Sequence, residues 1–381
     1  MEEISEVKKI LFVIPSFGGG GAERVCLNLL KGLNRERFKP EVVVFYEENA
    51  YEYDIPKDLR IRCLFKRKAL DFFRLVYLLS KIIRKEKPQL IVSFLTYTNY
   101  LTIIARMIAR TDVPIIVSEH THLSRDLSFQ RFKFIKKKLV RYLYPKAECI
   151  ITVSKGVKED LHTNFGIPED RCIVIYNPLD IDLIREKIHD EVDHPWFKED
   201  VPIIIACGRL TLEKNYPLLL KGIKKVLKRI NVRLIIIGEG EKRLSLESLT
   251  TSLGIEKNVA FLGFKQNPFK YIARANLFVL SSLYEAFGNV VLEAMACGVP
   301  VISTRCPSGP DEIITDGVNG LLVPVGDEDA LAEAILRLLG DKELRQRLAK
   351  AGKKRAEDFR IEKIIAEYER VFEEVIRCSV N

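Results

Sequence analysis

Neither a dinucleotide fingerprint nor a phosphate-binding P-loop occurs in this chain. G-x-G-x-x-G fails in every register of the run Gly18, Gly19, Gly20, Gly21, because Gly18-x-Gly20 leads to Glu23 and Gly19-x-Gly21 leads to Arg24. G-x-x-x-x-G-K-[ST] is absent altogether. A nicotinamide dehydrogenase and a P-loop NTPase are therefore disfavoured. The cysteines, at 26, 63, 149, 172, 207, 297, 306 and 378, contain no C-x2-C pair, which removes the usual zinc pattern. Several sit in apolar runs and read as buried free thiols in a reducing cytoplasm. A basic–aromatic recognition motif is also lacking, so nucleic acid is not an expected partner. Glu2, Glu3 and Glu6 give the start of the chain the wrong charge for a signal peptide. Residues 90–109 come nearest to a membrane span, but Arg106 and a polar middle of Ser93, Thr96, Tyr97, Thr98 and Asn99 interrupt them. They read as strand, loop and helix.

What is present suits two domains. A chain of 381 residues exceeds one ordinary core, and 47% hydrophobic with 30% charged residues allows substantial burial in a soluble protein. Strand patterns near 9–14, 41–46, 90–94, 114–118, 149–153 and 172–176 alternate with helical ones. The pattern restarts after a polar stretch that begins at Asn177-Pro178 and ends at His194-Pro195, with strands near 202–207, 233–237, 259–262, 277–280, 299–303 and 321–323. Alternation of this kind predicts α/β domains with doubly wound parallel sheets, residues 1–190 and 191–360. Leu29-Leu-Lys-Gly32-Leu and Leu219-Leu-Lys-Gly222-Ile fall at like places in the two halves, consistent with one architecture used twice. From Ile361, apolar residues at 364, 365, 368, 371, 372, 375 and 376 keep helical spacing and require a surface to pack on.

Charge divides unevenly. Residues 1–190 carry 33 Lys and Arg against 25 Asp and Glu, or +8, which leaves 28 against 27, or +1, for the remainder. A basic front half suggests an anionic partner surface, either membrane phospholipid or a phosphorylated lipid acceptor. Within residues 129–144, Arg131, Lys133, Lys136, Lys137, Lys138 and Arg141 are interleaved with Phe132, Phe134, Ile135, Leu139, Tyr142 and Leu143. This pattern fits an interfacial membrane helix or an ordinary domain helix with a solvated basic face.

Four segments carry candidate chemistry. Glu285-Ala-Phe-Gly-Asn-Val-Val-Leu-Glu293 places two carboxylates across a turn-to-helix junction. Gly288 and Asn289 start the helix, whose free N–H groups and dipole favour a phosphate, and an ionised carboxylate accepts both hydroxyls of a sugar diol. Ile203-Ile-Ile-Ala-Cys-Gly-Arg209-Leu-Thr-Leu-Glu-Lys214-Asn215 is a buried-strand pattern that delivers two cations at its carboxyl end, where open α/β sheets bind ligands. Fixed cations of this kind stabilise a departing nucleoside diphosphate. Lys9-Ile-Leu-Phe-Val-Ile-Pro15 leads into Gly18, Gly19, Gly20 and Gly21, which let backbone approach a ligand closely. Val117-Ser-Glu-His120-Thr-His122 puts histidine at another strand end.

Taken together these segments resemble glycosyltransferase family 4, through its E-x7-E signature, the intact G-R-L-x-x-E-K-N pattern and the G-G-G-G-A-E-R opening. Pro307-Ser-Gly-Pro-Asp-Glu312 and Gly320-Leu-Leu-Val-Pro324 follow in order. The resemblance implies a GT-B fold of two facing Rossmann-like domains, with residues 361–381 forming a helix that crosses back to the N-terminal domain. It implies a retaining glycosyltransferase that moves a hexose or N-acetylhexosamine from a nucleotide-diphosphate donor, with UDP-sugar expected. The acceptor expected is a lipid-linked saccharide or polysaccharide, as in bacterial and archaeal relatives. An epimerase or a non-catalytic sugar-nucleotide-binding subunit of the same fold is the alternative. The implied catalytic residues are Glu285, His120, Arg209 and Lys214. Donor binding would add Phe287, Gly288, Asn289, Val290, Val291, Glu293, Gly238 and Phe264, with Gly18 to Gly21 as the acceptor or phosphate loop. No cofactor and no metal are expected, because Asp180-Ile-Asp182 falls in the linker and Asp327-Glu-Asp329 reads as a helix start. The expected location is the cytoplasm, including the inner face of the cell membrane.

Overall fold

The computed structural model describes residues 7–47, 55–66, 71–128 and 132–380. The chain divides into two compact units, Met1–Pro178 with Ile361–Asn381, and Leu179–Arg360. The first contains a seven-stranded sheet built from β1 (Lys8–Ile14), β2 (Phe38–Val44), β3 (Arg60–Cys63), β4 (Leu90–Phe94), β5 (Ile115–Glu119), β6 (Cys149–Thr152) and β7 (Cys172–Val174), in the order β3-β2-β1-β4-β5-β6-β7. The second contains six strands, β8 (Ile203–Cys207), β9 (Arg233–Ile237), β10 (Val259–Gly263), β11 (Leu277–Leu280), β12 (Val301–Thr304) and β13 (Leu321–Val323), in the order β10-β9-β8-β11-β12-β13. Every pairing is parallel. In each sheet the order reverses once, between β1 and β4 and between β8 and β11, and ligands bind at the carboxyl ends beside such a reversal.

Alternate residues of β1 feed two cores. Leu11 and Val13 face a cluster with Leu75, Leu79 and Leu101, while Ile10, Phe12 and Ile14 face one that includes Ile364, Ile365, Tyr368, Val371 and Phe372 of the Ile361–Val380 helix. The final helix is thus part of the first unit's core, with each fully buried apolar side chain contributing about 1.5–3 kcal/mol. Phe372 meets Phe12 and Phe38 edge-on, with centroids 6.3 and 6.1 Å apart. Arg37 ties the same helix down through Glu369 (2.6 Å) and Glu373 (2.7 Å).

The repeated Leu-Leu-Lys-Gly motif has a packing reason. Gly32 lies in the Gly21–Gly32 helix, and a Cβ there would come within 2.0 Å of Ile365 Cδ1. Gly222, in the Tyr216–Leu227 helix, faces Leu331, where a Cβ would be 3.3 Å from Cδ2. In each unit the first helix after the central strand uses glycine where a later helix crosses it.

Two expectations need correction. β3 was not anticipated, because Arg-Ile-Arg-Cys is a four-residue edge strand with both arginines reaching outward to Glu41 and Glu86. The units meet at Pro178/Leu179 rather than at 190/191. The polar stretch after Pro178 holds a helix, Ile181–Lys187, capped by Asp180 and docked on the second unit. Asn267 Nδ2 donates to Lys187 O (2.8 Å), Arg274 to Ile188 O (3.0 Å), and Tyr271 OH to Asp193 (2.6 Å). Among the cysteines, Cys26, Cys149, Cys172 and Cys306 are buried as expected, Cys63, Cys207 and Cys297 are half-buried, and Cys378 is exposed. Residues 90–109 fold as β4, Leu95 and the Thr96–Ala109 helix, and no described helix is long and apolar enough to cross a membrane.

Candidate active site

In the second unit the expected residues follow the carboxyl edge of the sheet. Phe264 lies just past β10 and is 55% exposed, Gly238 follows β9, Arg209 and Lys214 follow β8, and Glu285 follows β11. Gly238 is required by close approach, since a Cβ there would sit 2.0 Å from Gly208 O. The strand ends are zipped together beyond the sheet by Gly208 N–H to Ile237 O (2.9 Å), Gly238 N–H to Gly263 O (2.9 Å) and Leu210 N–H to Glu239 O (2.8 Å). Arg209 leaves this frame and is exposed, held by Glu213 at 3.3 Å.

Lys214 and Glu285, 71 residues apart, are joined directly: Lys214 Nζ donates to Glu285 Oε1 at 2.6 Å, with both side chains largely shielded from solvent. Ser282 Oγ donates to the same oxygen at 2.6 Å. Ser281 Oγ donates to Lys214 O (2.9 Å) and Leu283 N–H to Glu213 O (2.7 Å), so the two loops form one block. No described side chain donates to Glu285 Oε2. Sequence reasoning missed Glu213, Ser281 and Ser282; serine at the third position before Glu285 was the available signal.

The helix after this loop runs Asn289–Ala296, with Gly288 at its N-cap in the left-handed region (φ 95°). Its early N–H groups and dipole make an anion-binding end. Glu293, in the second turn, is buried at 5% exposure, an unusual place for a carboxylate. The Phe287 ring is buried against Phe359, with centroids 5.6 Å apart, and Val291 is fully buried, so only the backbones of these two apolar residues are available. Val290 is half-buried.

In the first unit, the ends of β1, β4 and β5 are neighbours. Gly18 N–H turns back on Ser16 Oγ (3.2 Å), Gly19 is left-handed (φ 99°), and Gly20 caps the Gly21–Gly32 helix. Glu23 folds over this cap: a Cβ on Gly20 would lie 2.2 Å from its Oε2. His120 follows β5 directly. Its Nε2 is 2.9 Å from Ser118 Oγ, and its ring stacks near Phe94 at 5.6 Å. Desolvation holds the imidazole well below its ordinary pKa, so it is neutral at pH 7.

The neighbouring Glu119 carried no expectation of its own. Its carboxylate is wholly buried and accepts from Thr96 Oγ1 (3.1 Å), Tyr144 OH and His120 N–H (3.1 Å). Asn99 Nδ2 supports Tyr144 OH (3.1 Å), and Ser93 Oγ donates to Asn99 Oδ1 (2.8 Å). Burial pushes Glu119 up to about 7. Leu95, which starts the adjoining helix, is held at φ 73°, a costly position for a branched apolar residue. His122 is engaged elsewhere, with Nδ1 3.3 Å from buried Asp160.

Among the described residues no three His, Cys, Asp or Glu side chains gather as a metal site. Asp180 and Asp327 cap helices, while Asp182 pairs with Arg185 and Arg360 and Asp329 pairs with Lys225. The Lys133–Leu143 helix seats Leu139, Val140 and Leu143 in the core and turns Phe134 (74% exposed), Ile135 and Tyr142 outward among its cations. Phe129, Gln130 and Arg131 lie outside the described residues.

The family model for glycosyl transferases group 1 matches residues 189–355, and that for glycosyltransferase family 4 matches residues 19–183. The chain is 33% identical to the N-acetylgalactosamine-N,N'-diacetylbacillosaminyl-diphospho-undecaprenol 4-alpha-N-acetylgalactosaminyltransferase of Campylobacter jejuni, over 93% of this chain and 96% of that one. It is 28% identical to the lipopolysaccharide core biosynthesis glycosyltransferase LpsE of Rhizobium meliloti, over 87% and 89% respectively. Its fold superposes on the crystal structure of Anabaena Alr3699/HepE in complex with UDP and glucose, with a TM-score of 0.81, 24% identity, and coverage of 96% of this chain and 100% of that one. With both halves matched in order and a relative one-third identical along nearly the whole length, the chain belongs to glycosyltransferase family 4 and has the GT-B fold.

Proposed function

We propose that this glycosyltransferase moves a hexose or N-acetylhexosamine from a UDP-sugar to a lipid-linked saccharide, retaining the anomeric configuration. The observation that carries the reading is the block at the reversal of the second sheet, where Lys214 is held by Glu285, itself fixed by Ser282, beside the exposed Arg209. An ammonium has three N–H donors, so Lys214 can keep Glu285 and still bind phosphate oxygens. As the C1–O bond to the diphosphate breaks, charge grows on the leaving oxygen, and Arg209, Lys214 and the N-terminus of the Asn289–Ala296 helix stabilise it without a metal ion. Glu285 Oε2 takes a sugar hydroxyl and Glu293 takes the ribose diol. Gly238, Phe264 and the backbone from Phe287 to Val291 complete the donor contacts, and Gly288 and Asn289 present the helix end. The acceptor oxygen attacks C1 on the face the diphosphate leaves, and its proton passes to the departing phosphate.

The first unit supplies the acceptor side, with the loop of Gly18, Gly19, Gly20 and Gly21, and His120 as a neutral ring contacting the sugar. The similar Campylobacter enzyme is named for a diphospho-undecaprenol acceptor, which supports a lipid-linked substrate. The outward Phe134, Ile135 and Tyr142 among Lys133, Lys136, Lys137, Lys138 and Arg141 suit an anionic bilayer, which supports a peripheral position on the cytoplasmic membrane face.

Labelled nucleotide sugars, screened for slow hydrolysis and then for transfer to prenyl-diphosphate-linked acceptors, test the reading, with product anomers assigned by NMR and the assay repeated with chelator. Donor turnover independent of acceptor would favour an epimerase, and binding without hydrolysis or transfer a non-catalytic subunit. An inverted product anomer would remove the retaining step, and loss of activity with chelator would remove the metal-free one.

A further inference from the structure

Glu119 grips the backbone of His120 from the opposite layer. Successive strand residues face opposite sides of a sheet. Ile115, Val117 and Glu119 of β5 face the cluster that contains Leu101 and Tyr144, whereas Ile116 and His120 face the one that contains Phe94. The Glu119 carboxylate nonetheless turns back to the chain: Oε1 accepts His120 N–H (3.1 Å), Oε2 accepts Tyr144 OH, and Thr96 Oγ1 lies 3.1 Å from each oxygen. Thr96 is delivered there by Leu95, whose φ of 73° is a backbone state that branched apolar residues rarely adopt.

These three donors define what the group must be. An ionised carboxylate is an acceptor only and takes all three protons at once. A neutral carboxyl carries a proton of its own and accepts bonds of about half the strength. That proton can go to Thr96 only if the Thr96 hydroxyl reverses. It can go to Tyr144 only if the phenol proton loses its acceptor, because Asn99 Nδ2 already donates to the phenol oxygen (3.1 Å). A carboxamide in this place fares no better. With its oxygen on His120 N–H, its NH2 faces the Tyr144 hydroxyl; with its oxygen on Tyr144, the NH2 faces His120 N–H, donor to donor.

The loop that carries His120 is held at its far end as well. Asp160, 3% exposed on the Lys155–Phe165 helix, accepts from Ser124 N–H (2.9 Å) and Asn164 Nδ2 (2.9 Å), and its Oδ2 is 3.3 Å from His122 Nδ1. Burial raises this carboxyl, but hydrogen bonds from His122 and Ser124 outweigh it and hold Asp160 below its ordinary range. The titratable groups facing Glu119 are Tyr100 of the Thr96–Ala109 helix, Tyr144 and His120. Burial holds both phenols above their ordinary range and the imidazole far below its own. No described Lys or Arg pairs with Glu119. Since burial pushes Glu119 up to about 7, it is the carboxylate of the two that changes charge near neutrality.

We propose that Glu119 is a positioning residue for transfer: ionised, it locks the turn of Glu119, His120 and Thr121 and so holds the His120 ring in place, and protonated it loosens that turn. The bond pattern carries the assignment; its effect on turnover rests on the proposed role of His120.

The test uses the full chain labelled with 15N-histidine, which gives five backbone amide signals, with His120 assigned by its loss in His120→Gln. In wild type the His120 amide proton should move upfield as pH falls from 8 to 6. Turnover of a UDP-sugar should fall with the same midpoint, by at least about threefold over that span. Thr96→Val removes one hydrogen bond to the charged form and should move both midpoints to higher pH together, and Thr96→Ser should return them. Glu119→Gln should lower turnover at pH 8 at least about fivefold and abolish both titrations. A His120 amide that does not titrate in wild type, midpoints that separate in Thr96→Val, or an acid limb that survives Glu119→Gln would overturn the proposal. Turnover absent from wild type at every pH would instead sink the transferase reading, and the amide titration would still decide the grip.

Discussion

Glu119 ionises at a cost that no surface carboxylate pays. In the unfolded chain it titrates near its ordinary 4.5, but in the folded protein burial raises it to about 7. Between those values the native state holds a proton that the unfolded state has lost. The stability this group contributes is complete below pH 4.5 and disappears as pH rises through 7. Denaturant unfolding at pH 5 and pH 8 should show Glu119→Gln losing less stability than wild type over that span, by about 3 kcal/mol. Parallel pH dependences in the two proteins would rule the effect out. For Lys214→Ala we expect transfer to slow at least tenfold, or about 1.4 kcal/mol of barrier, with the thermal transition little changed; an unaltered rate would end the leaving-group role. The sequence identified Lys214, Glu285, Arg209 and His120 as candidates, because charge at a strand's carboxyl end is legible from pattern. It did not show that Lys214 and Glu285 bond to each other, or that Tyr144 and Asn99 stand beneath Glu119. Those partners are 71, 25 and 45 residues apart along the chain and meet only after folding.

At the scale of elements, the two equivalent glycines should respond in opposite directions. Gly32→Ala gains about 1 kcal/mol in helix propensity but forces a methyl to within 2.0 Å of Ile365 Cδ1, and overpacking costs about 1–3 kcal/mol. Gly222→Ala meets the flexible end of Leu331 at 3.3 Å and the Glu328 carbonyl at an ordinary 3.7 Å, so the propensity gain should prevail. Urea unfolding of both variants checks the signs, and Ile365→Val should reduce the penalty of Gly32→Ala. A stabilising Gly32→Ala would mean that the final helix is not seated as described. Strands buried on both faces, such as Ile203–Cys207, were legible as continuous apolar runs, and the final helix by its 3.6-residue spacing. The edge strand Arg60–Cys63 was not, since a half-exposed alternation of arginine and apolar residues resembles a loop. The Ile181–Lys187 helix was obscured because its anchors, Asn267, Tyr271 and Arg274, lie far along the chain.

For the molecule as a whole, the surplus of positive charge in residues 1–190 and the exposed aromatics of the Lys133–Leu143 helix lead to one further measurement. Replacing Lys136, Lys137 and Lys138 by glutamine should weaken sedimentation with phosphatidylglycerol vesicles at least about tenfold, since a basic residue near an anionic surface contributes about 1 kcal/mol. Undiminished binding would sink the membrane reading. The two-domain plan was legible because strand and helix alternation restarts at Val201, whereas the boundary at Pro178 depends on which unit a short helix docks against. The final helix also bears on how the protein is made. Ile364, Tyr368 and Phe372 complete a core whose other walls, from Ile10 to Ile175, emerge from the ribosome far earlier. At about 5–20 residues per second, some 200 codons separate those walls from their last piece, a delay on the order of 10–40 s. Throughout that interval one face of the nascent first sheet is open, so the amino-terminal half should be a chaperone client during translation and should mature only after the carboxy-terminal half has been synthesised.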